Sequence, residues 1–236
     1  MARKPDPTSR AALIDSARAE FARRGLHSAR IEDITAACGL SKGSFYLHFP
    51  SKEALFAELV QAFEQGMEDC YQARRKLTEQ FFTERPLTRN DIAKGTARYR
   101  EFRAREEGTD TKALDLMWAF RDVVEVLVSG AQGTPFEGML WKQVEREAAR
   151  VADEITVGQK QGICRTDIPP PIFGAMMVGT YLVLGHRLSS LREKPDLRSW
   201  ARSIQNLVHP ASSAPALLKR KAPVRKISRT SPRSSP

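Results

Sequence analysis

The sequence predicts an all-α protein of about nine helices. Almost every segment between the two ends repeats its apolar residues at helical spacing, and no stretch alternates apolar and polar residues long enough to suggest a strand. Gly and Pro punctuate the chain between the periodic runs. With 236 residues, 41% hydrophobic and 28% charged, the chain has enough apolar surface for a sizeable core and is not a disordered acidic chain or a membrane protein.

The first helix is expected from Arg10 to Arg24, with Leu13, Ile14, Ala17 and Phe21 on one face and Gly25 as its stop. A short second helix places Ile31, Ile34 and Cys38 inward and breaks at Gly39. Ser41 is a good N-cap for a third, Lys42 to Phe49, which must end before Pro50. Ser51, Lys52 and Glu53 open a long helix with a seam of Leu55, Leu59, Phe63, Met67, Cys70, Leu77 and Phe81. Further helices carry Ile92, Thr96, Tyr99 and Phe102, then Leu116, Phe120, Val124 and Leu127, then Phe136, Leu140, Val144, Val151 and Ile155. Two more follow, one from Ile172 to Leu191 and a last one with Leu197, Trp200, Ile204 and Leu207.

The formal charge of +10 is concentrated at the C-terminal end. Residues 211–236 contain Lys and Arg but no Asp or Glu, are rich in Pro and Ser, and have too few large apolar groups to offset the entropy of ordering. They read as a disordered tail, either a basic arm for nucleic-acid phosphates or a merely solvated segment. The arginine- and acid-rich N-terminus has no secretory signal, and the uncharged run 168–185 begins with prolines, so its helical part reads as a buried core helix. A cytoplasmic protein away from membranes is expected.

Catalytic and metal chemistry find little support. Cys38, Cys70 and Cys164 have neither disulfide nor zinc spacing, and His27, His48, His186 and His209 are scattered. Gly-rich phosphate motifs are absent, and Cys164 beside Arg165 reads either as a lowered-pKa thiol or as an inert turn cysteine. No catalytic residue, metal ligand or cofactor is expected.

Residues 31–49, two short helices around Gly39, Leu40 and Ser41, have the layout of a helix-turn-helix. At about 100° per residue, Phe45 and Phe49 share the packed face of the third helix, leaving Gly43, Ser44, Tyr46 and Leu47 pointing away. Gly43 allows close backbone approach, the hydroxyls of Ser44 and Tyr46 suit phosphate oxygens, and Leu47 and His48 suit thymine methyls or base edges. Lys42 and Lys52 bracket the helix with positive charge.

The run LIDSARAEFARRG, followed by IEDITAACGLSKGSFYLHFPSKEALF, resembles the DNA-binding domain of TetR-type transcriptional regulators. Its most specific part is Gly39 to Glu53. The resemblance implies a homodimer with a three-helix DNA-binding domain and a larger helical domain that binds a small ligand and dimerises. It places the Tyr46 hydroxyl and Lys52 on DNA phosphates, Gly43, Leu47 and His48 at or near bases, and Ser41, Lys42 and Ser44 at the backbone or groove edge. One departure is Ala29-Arg30, where the family usually has a Thr/Ser pair. Capping is then expected from Ser28, and Arg30 is either a replacement DNA contact or a surface arginine without a partner.

The C-terminal part resembles the family in length, helix count and the Gly162–Asp167 turn. The helix from Ile172 is apolar almost all round and is expected to be covered partly by a second subunit, with Gly174, Ala175 and Gly179 allowing close approach and Trp200 and Ile204 pairing from the last helix. Phe102, Met117, Phe120, Phe136, Trp141, Met176 and Tyr181, with Arg121 as a polar anchor, are candidates for lining the cavity of an unknown small-molecule effector; the plainer reading is core packing.

The expected organisation is a flexible N-terminus (1–9), a DNA-binding domain (10–55), a ligand-binding and dimerisation domain (56–209) and a basic tail (210–236). The expected function is a ligand-responsive regulator, a repressor binding a palindromic operator on double-stranded DNA. The alternative is a helical DNA-attachment or protein-interaction module without ligand switching.

Overall fold

The computed structural model describes residues 6–208, so the basic tail lies outside the described residues. Among these there are ten α-helices, one π-helical turn and no strand. Helices α1 (Pro7–Ser28), α2 (Ile31–Ala37) and α3 (Lys42–His48) form an N-terminal unit. Helix α4 (Lys52–Glu84) leads away from it into a body of α5 (Arg89–Lys94), α6 (Ala97–Ala119), α7 (Arg121–Glu125), the π-helical turn Val126–Gly130, α8 (Met139–Gln161), α9 (Pro170–Ser189) and α10 (Leu197–Val208).

Helix α1 starts three residues earlier than expected. The Asp6 carboxylate accepts hydrogen bonds from the backbone N–H groups of Thr8 (3.2 Å) and Ser9 (3.3 Å), and Pro7 takes the first helical position, where its missing N–H loses nothing. Residues 7–9 are therefore helical. Gly25 ends the regular helix as expected: its φ of 72° and ψ of 163° fall in a region essentially restricted to glycine.

Leu13, Ala17 and Phe21 of α1 close on Ile34, Phe45, Phe49, Leu55 and Phe56, forming one buried cluster. The α4 seam continues through half-buried Phe63 and Met67 to Phe81. Leu77 leaves it and is 36% exposed, while Phe82 packs beside Phe81 instead.

Three expected helices have different limits. The Ile92 to Phe102 stretch is divided at Gly95 (φ 58°), where Thr88 and Asp91 form a reciprocal capping box for α5 and Thr96 caps α6 anew. The Leu116 to Leu127 stretch breaks at Phe120, whose φ of −110° and ψ of 19° separate α6 from α7. Phe136 precedes α8, which begins only after Gly138 at φ 74°.

The N-terminal unit is built into the body rather than hung from it. Arg18 donates from Nε and Nη2 to the two carboxylate oxygens of Asp122, both at 2.6 Å, and from Nη2 to the Ala119 carbonyl. Phe21 packs edge-on against Phe56 (5.6 Å), and Phe56 against Phe136 (4.9 Å), with Val123, Val126 and Ala131 in the same cluster. Beside them the backbones cross at two glycines: a Cβ on Gly25 would sit 3.2 Å from the Gly130 carbonyl oxygen, and one on Gly130 would sit 3.1 Å from Gly25 Cα.

Helices α8 and α9 pack along each other, and α10 lies on α6. Gly174, expected at a subunit interface, instead sits against the Ala148 carbonyl of α8 with no room for a Cβ. Ile204 is 3% exposed in a cluster with Leu114, Met117, Leu188 and Ala201, and Trp200 packs against the same cluster. Ala175 is exposed and Gly179 faces open space. Among the described residues no helix is long and apolar enough to cross a membrane.

Gly25→Ala is expected to lower the unfolding free energy by about 2 kcal/mol, because it adds strain at a glycine-only conformation and a close contact with Gly130. Urea denaturation followed by circular dichroism checks this; a change within experimental error contradicts the strain argument.

Candidate DNA interface

The α2-turn-α3 unit is held by short-range bonds. The Leu40 N–H donates to the Thr35 carbonyl at 2.9 Å and the Gly39 N–H to Ala36 at 3.2 Å, with Gly39 at φ 69°. The Ser41 hydroxyl accepts from the Ser44 N–H at 3.1 Å and so starts α3, as expected. From α1, the Ser16 hydroxyl donates to the Ile34 carbonyl at 2.6 Å and fixes α2 against the first helix.

In α3, Phe45 and Phe49 are 0% and 1% exposed and face the core, their ring centroids 5.7 Å apart. Tyr46 and Leu47 are each 50% exposed on the opposite side, close to the exposed Gly43, while Ser44 and His48 are half-buried at its edge. An exposed leucine and tyrosine beside a glycine make a surface that a groove wall can approach closely.

The cations of this surface have protein partners. Lys42 Nζ pairs with Glu32 of α2 at 2.5 Å; this hydrogen bond holds the Glu32 carboxyl below and the Lys42 ammonium above their ordinary ranges. Lys52 donates to the carbonyls of His27 (2.7 Å) and Ala29 (2.8 Å), at the end of α1. Two of its three N–H groups are thus engaged, leaving one for a phosphate. Arg30 occupies the N-cap position of α2, exposed and without a capping bond, and Ser28 lies in the last turn of α1 and does not supply the cap.

Sequence reasoning missed Glu32 as the partner of Lys42, the carbonyl contacts of Lys52, and Arg10, whose guanidinium lies 4.9 Å over the Phe49 ring and pairs with Glu58. None of these pairings has a local sequence signal, because each joins two different helices.

The candidate effector residues do not converge on one cavity. Phe102 lines a cavity of about 370 Å³ between α4, α6 and α8. Met117 is buried near Gly185, Tyr181 lies near Asp110, and Phe120 and Phe136 pack against the N-terminal core. Arg121 stacks 4.1 Å over Trp118 and donates to its carbonyl, while Trp141 and Met176 are 61% and 56% exposed. Burial pushes the Cys164 thiol up to about 11, as for an inert turn cysteine. Among the described residues no group of three or more His, Cys, Asp or Glu is placed to hold a metal ion.

Residues 13–59 match the model of the bacterial regulatory proteins, tetR family. YdgC of Bacillus subtilis, an HTH-type transcriptional regulator, is 41% identical over 86 residues, 36% of this chain and 40% of that protein. KstR2 of Mycobacterium tuberculosis, an HTH-type transcriptional repressor, is 43% identical over 54 residues, 23% of this chain and 27% of its own. The chain thus spans well under half of these relatives' lengths. The solved structure of the ketosteroid transcriptional regulator KstR2 aligns with a TM-score of 0.59 at 19% identity, covering 89% of this chain and 99% of that one. A SmeT–triclosan complex aligns with a TM-score of 0.55 at 19% identity, covering 92% and 99%. The helix-turn-helix unit thus matches the tetR family of bacterial regulatory proteins by sequence, and the chain as a whole matches the solved structures in fold.

Proposed function

We propose that the protein is a ligand-responsive transcriptional regulator that binds a palindromic site on double-stranded DNA as a homodimer and acts as a repressor. The observation that carries this reading is α3 itself, which buries Phe45 and Phe49 and leaves Gly43, Tyr46 and Leu47 on one exposed face. Ser41, Ser44 and His48 flank that face, Lys52 adds positive charge beside it together with Lys42, whose charge Glu32 now balances and a phosphate would have to draw away, and Arg30 extends it onto α2.

Dimerisation is supported by the outer surface of α8 and α9. Trp141 of α8 and Ile172, Met176 and Val183 of α9 are all more than half exposed, an apolar array of the kind that pairs with its own copy. Ala175 and Gly179 lie on this α9 surface and stay within the proposed interface, whereas Gly174 and Ile204 do not. The relatives' names support the regulatory reading: KstR2 is a repressor, and SmeT has been solved with a small molecule. An effector in the body would act through α6 and α7, which grip α1 through Arg18, by changing the spacing of the two reading helices.

Selection of the purified protein on a randomised DNA pool at near-physiological salt is expected to return a palindrome with half-sites one helical turn, about 34–36 Å, apart or a multiple of it. Unselected DNA would overturn sequence-specific regulation and favour the attachment module. On the selected site, Tyr46→Phe is expected to weaken binding to all sequences by a similar factor, whereas Leu47→Ala shifts base preference; a reversed pattern in a binding-site library contradicts the orientation of α3. Lys52→Met is expected to cost about 1–2 kcal/mol of stability as well as affinity, since it leaves two carbonyls at the end of α1 without their donor. Thermal unfolding beside DNA titration separates it from Tyr46→Phe, which should cost affinity alone.

A further inference from the structure

The cavity of about 370 Å³ has aromatic and aliphatic walls, among them Phe82, Phe102, Ile155 and Ile163, and one strongly charged side. On that side Glu106 is only 5% exposed. Its carboxylate accepts from Arg74 at 2.8 Å and from the Thr78 hydroxyl at 3.3 Å. Glu154 of α8 lines the same cavity, and Asp110, 4% exposed, lies one helical turn beyond Glu106. Arg74 thus faces three carboxylates; of the other cations nearby, Arg75 at the mouth is paired with Glu79 at 3.2 Å, and Arg150, stacked on Tyr71, is paired with Glu68 and Glu147.

The other donors to this group are neutral: the Tyr71 hydroxyl reaches Glu154 and the Tyr181 hydroxyl reaches Asp110. Gln205, 2% exposed, gives its amide N–H to Asp110, and its own Oε1 is buried without a partner. Burial raises the pKa values of Glu106 and Asp110 against the influence of Arg74. Burial opposes the charge of Arg74 too, but the three carboxylates outweigh it and hold the guanidinium charged. An excess of carboxylates over cations is relieved by a positively charged donor. An anion would meet an arginine already engaged and three like charges.

We propose that this cavity binds a hydrophobic organic cation, its aromatic or alkyl body against Phe82, Phe102 and Ile155 and its ammonium group against Glu106 and Glu154. This deepens the proposed function and rests on its premise that the body takes up a small molecule. The volume is at the lower end for small-molecule sites and suits one aromatic bicycle with a short amine arm.

The test uses three probes with one apolar body: 2-naphthylmethylammonium, 2-naphthylmethanol and 2-naphthoate. Each is titrated into the full chain, and release of the selected DNA site is followed separately. The cation is expected to saturate at one per chain and to bind about tenfold more tightly than the alcohol, with the carboxylate weakest. Glu106→Gln and Glu154→Gln should each lower cation affinity about tenfold and leave the alcohol within twofold. Unchanged DNA affinity and thermal midpoint without probe establish that the variants fold, and half-buried Glu154 carries the comparison if the Glu106 variant does not. Tightest binding of the carboxylate, equal losses for cation and alcohol in the variants, or no saturable binding would each overturn the assignment. DNA release by the carboxylate alone would overturn it while upholding a ligand-responsive regulator. Saturable cation binding, sensitive to both variants but without DNA release, would uphold the cavity and overturn ligand switching.

Discussion

Everything at the N-terminal end depends on how α1 is gripped, and Arg18 is where the grip is most specific. Its planar fork meets both oxygens of Asp122 and reaches the Ala119 carbonyl at the end of α6, so one side chain registers α1 against two helices of the body. A lysine offers no such fork. Because Ser16 on the same helix holds α2 and Lys52 holds the last turn of α1, the direction in which α3 points follows from where Arg18 sits.

Much of this was legible in the sequence where the cause is local. Phe45 and Phe49 declared the inner face of α3 through their spacing, Ser41 its start, and Gly25 the end of the regular α1, because rotation per residue, capping and backbone freedom are properties of short segments. The three-helix unit and the all-α body followed from the same kind of signal. Helix limits were lost where two signals competed. Gly95 and the Thr88–Asp91 capping box divided a stretch that apolar spacing alone joins, and the break at Phe120 has no glycine or proline to announce it.

What stayed illegible depends on partners distant in sequence. Lys52 looked like a free phosphate ligand until two carbonyls of α1 came within reach, and Gly174 and Ile204 looked like interface residues until α8 and α6 covered them. The candidate effector residues were chosen for size and spacing, which cannot tell a side chain packed against the N-terminal core, such as Phe136, from one lining a cavity, such as Phe102. The charged wall of that cavity carried no spacing signal at all, since Arg74, Glu106 and Glu154 come from three helices.

The shared core of Phe21, Phe56 and Phe136 bears on how such proteins diversify. Exchanging the first 55 residues between relatives, by recombination or by design, divides a single hydrophobic cluster: the incoming head must fit Val123, Val126 and Phe136 of a body it did not evolve with, and its counterpart of Gly25 must clear the π-helical turn. A breakpoint drawn at the end of the helix-turn-helix is therefore in the wrong place. The unit of inheritance for DNA specificity is the head together with α7 and the turn after it, two pieces of chain some sixty residues apart that have to change as one.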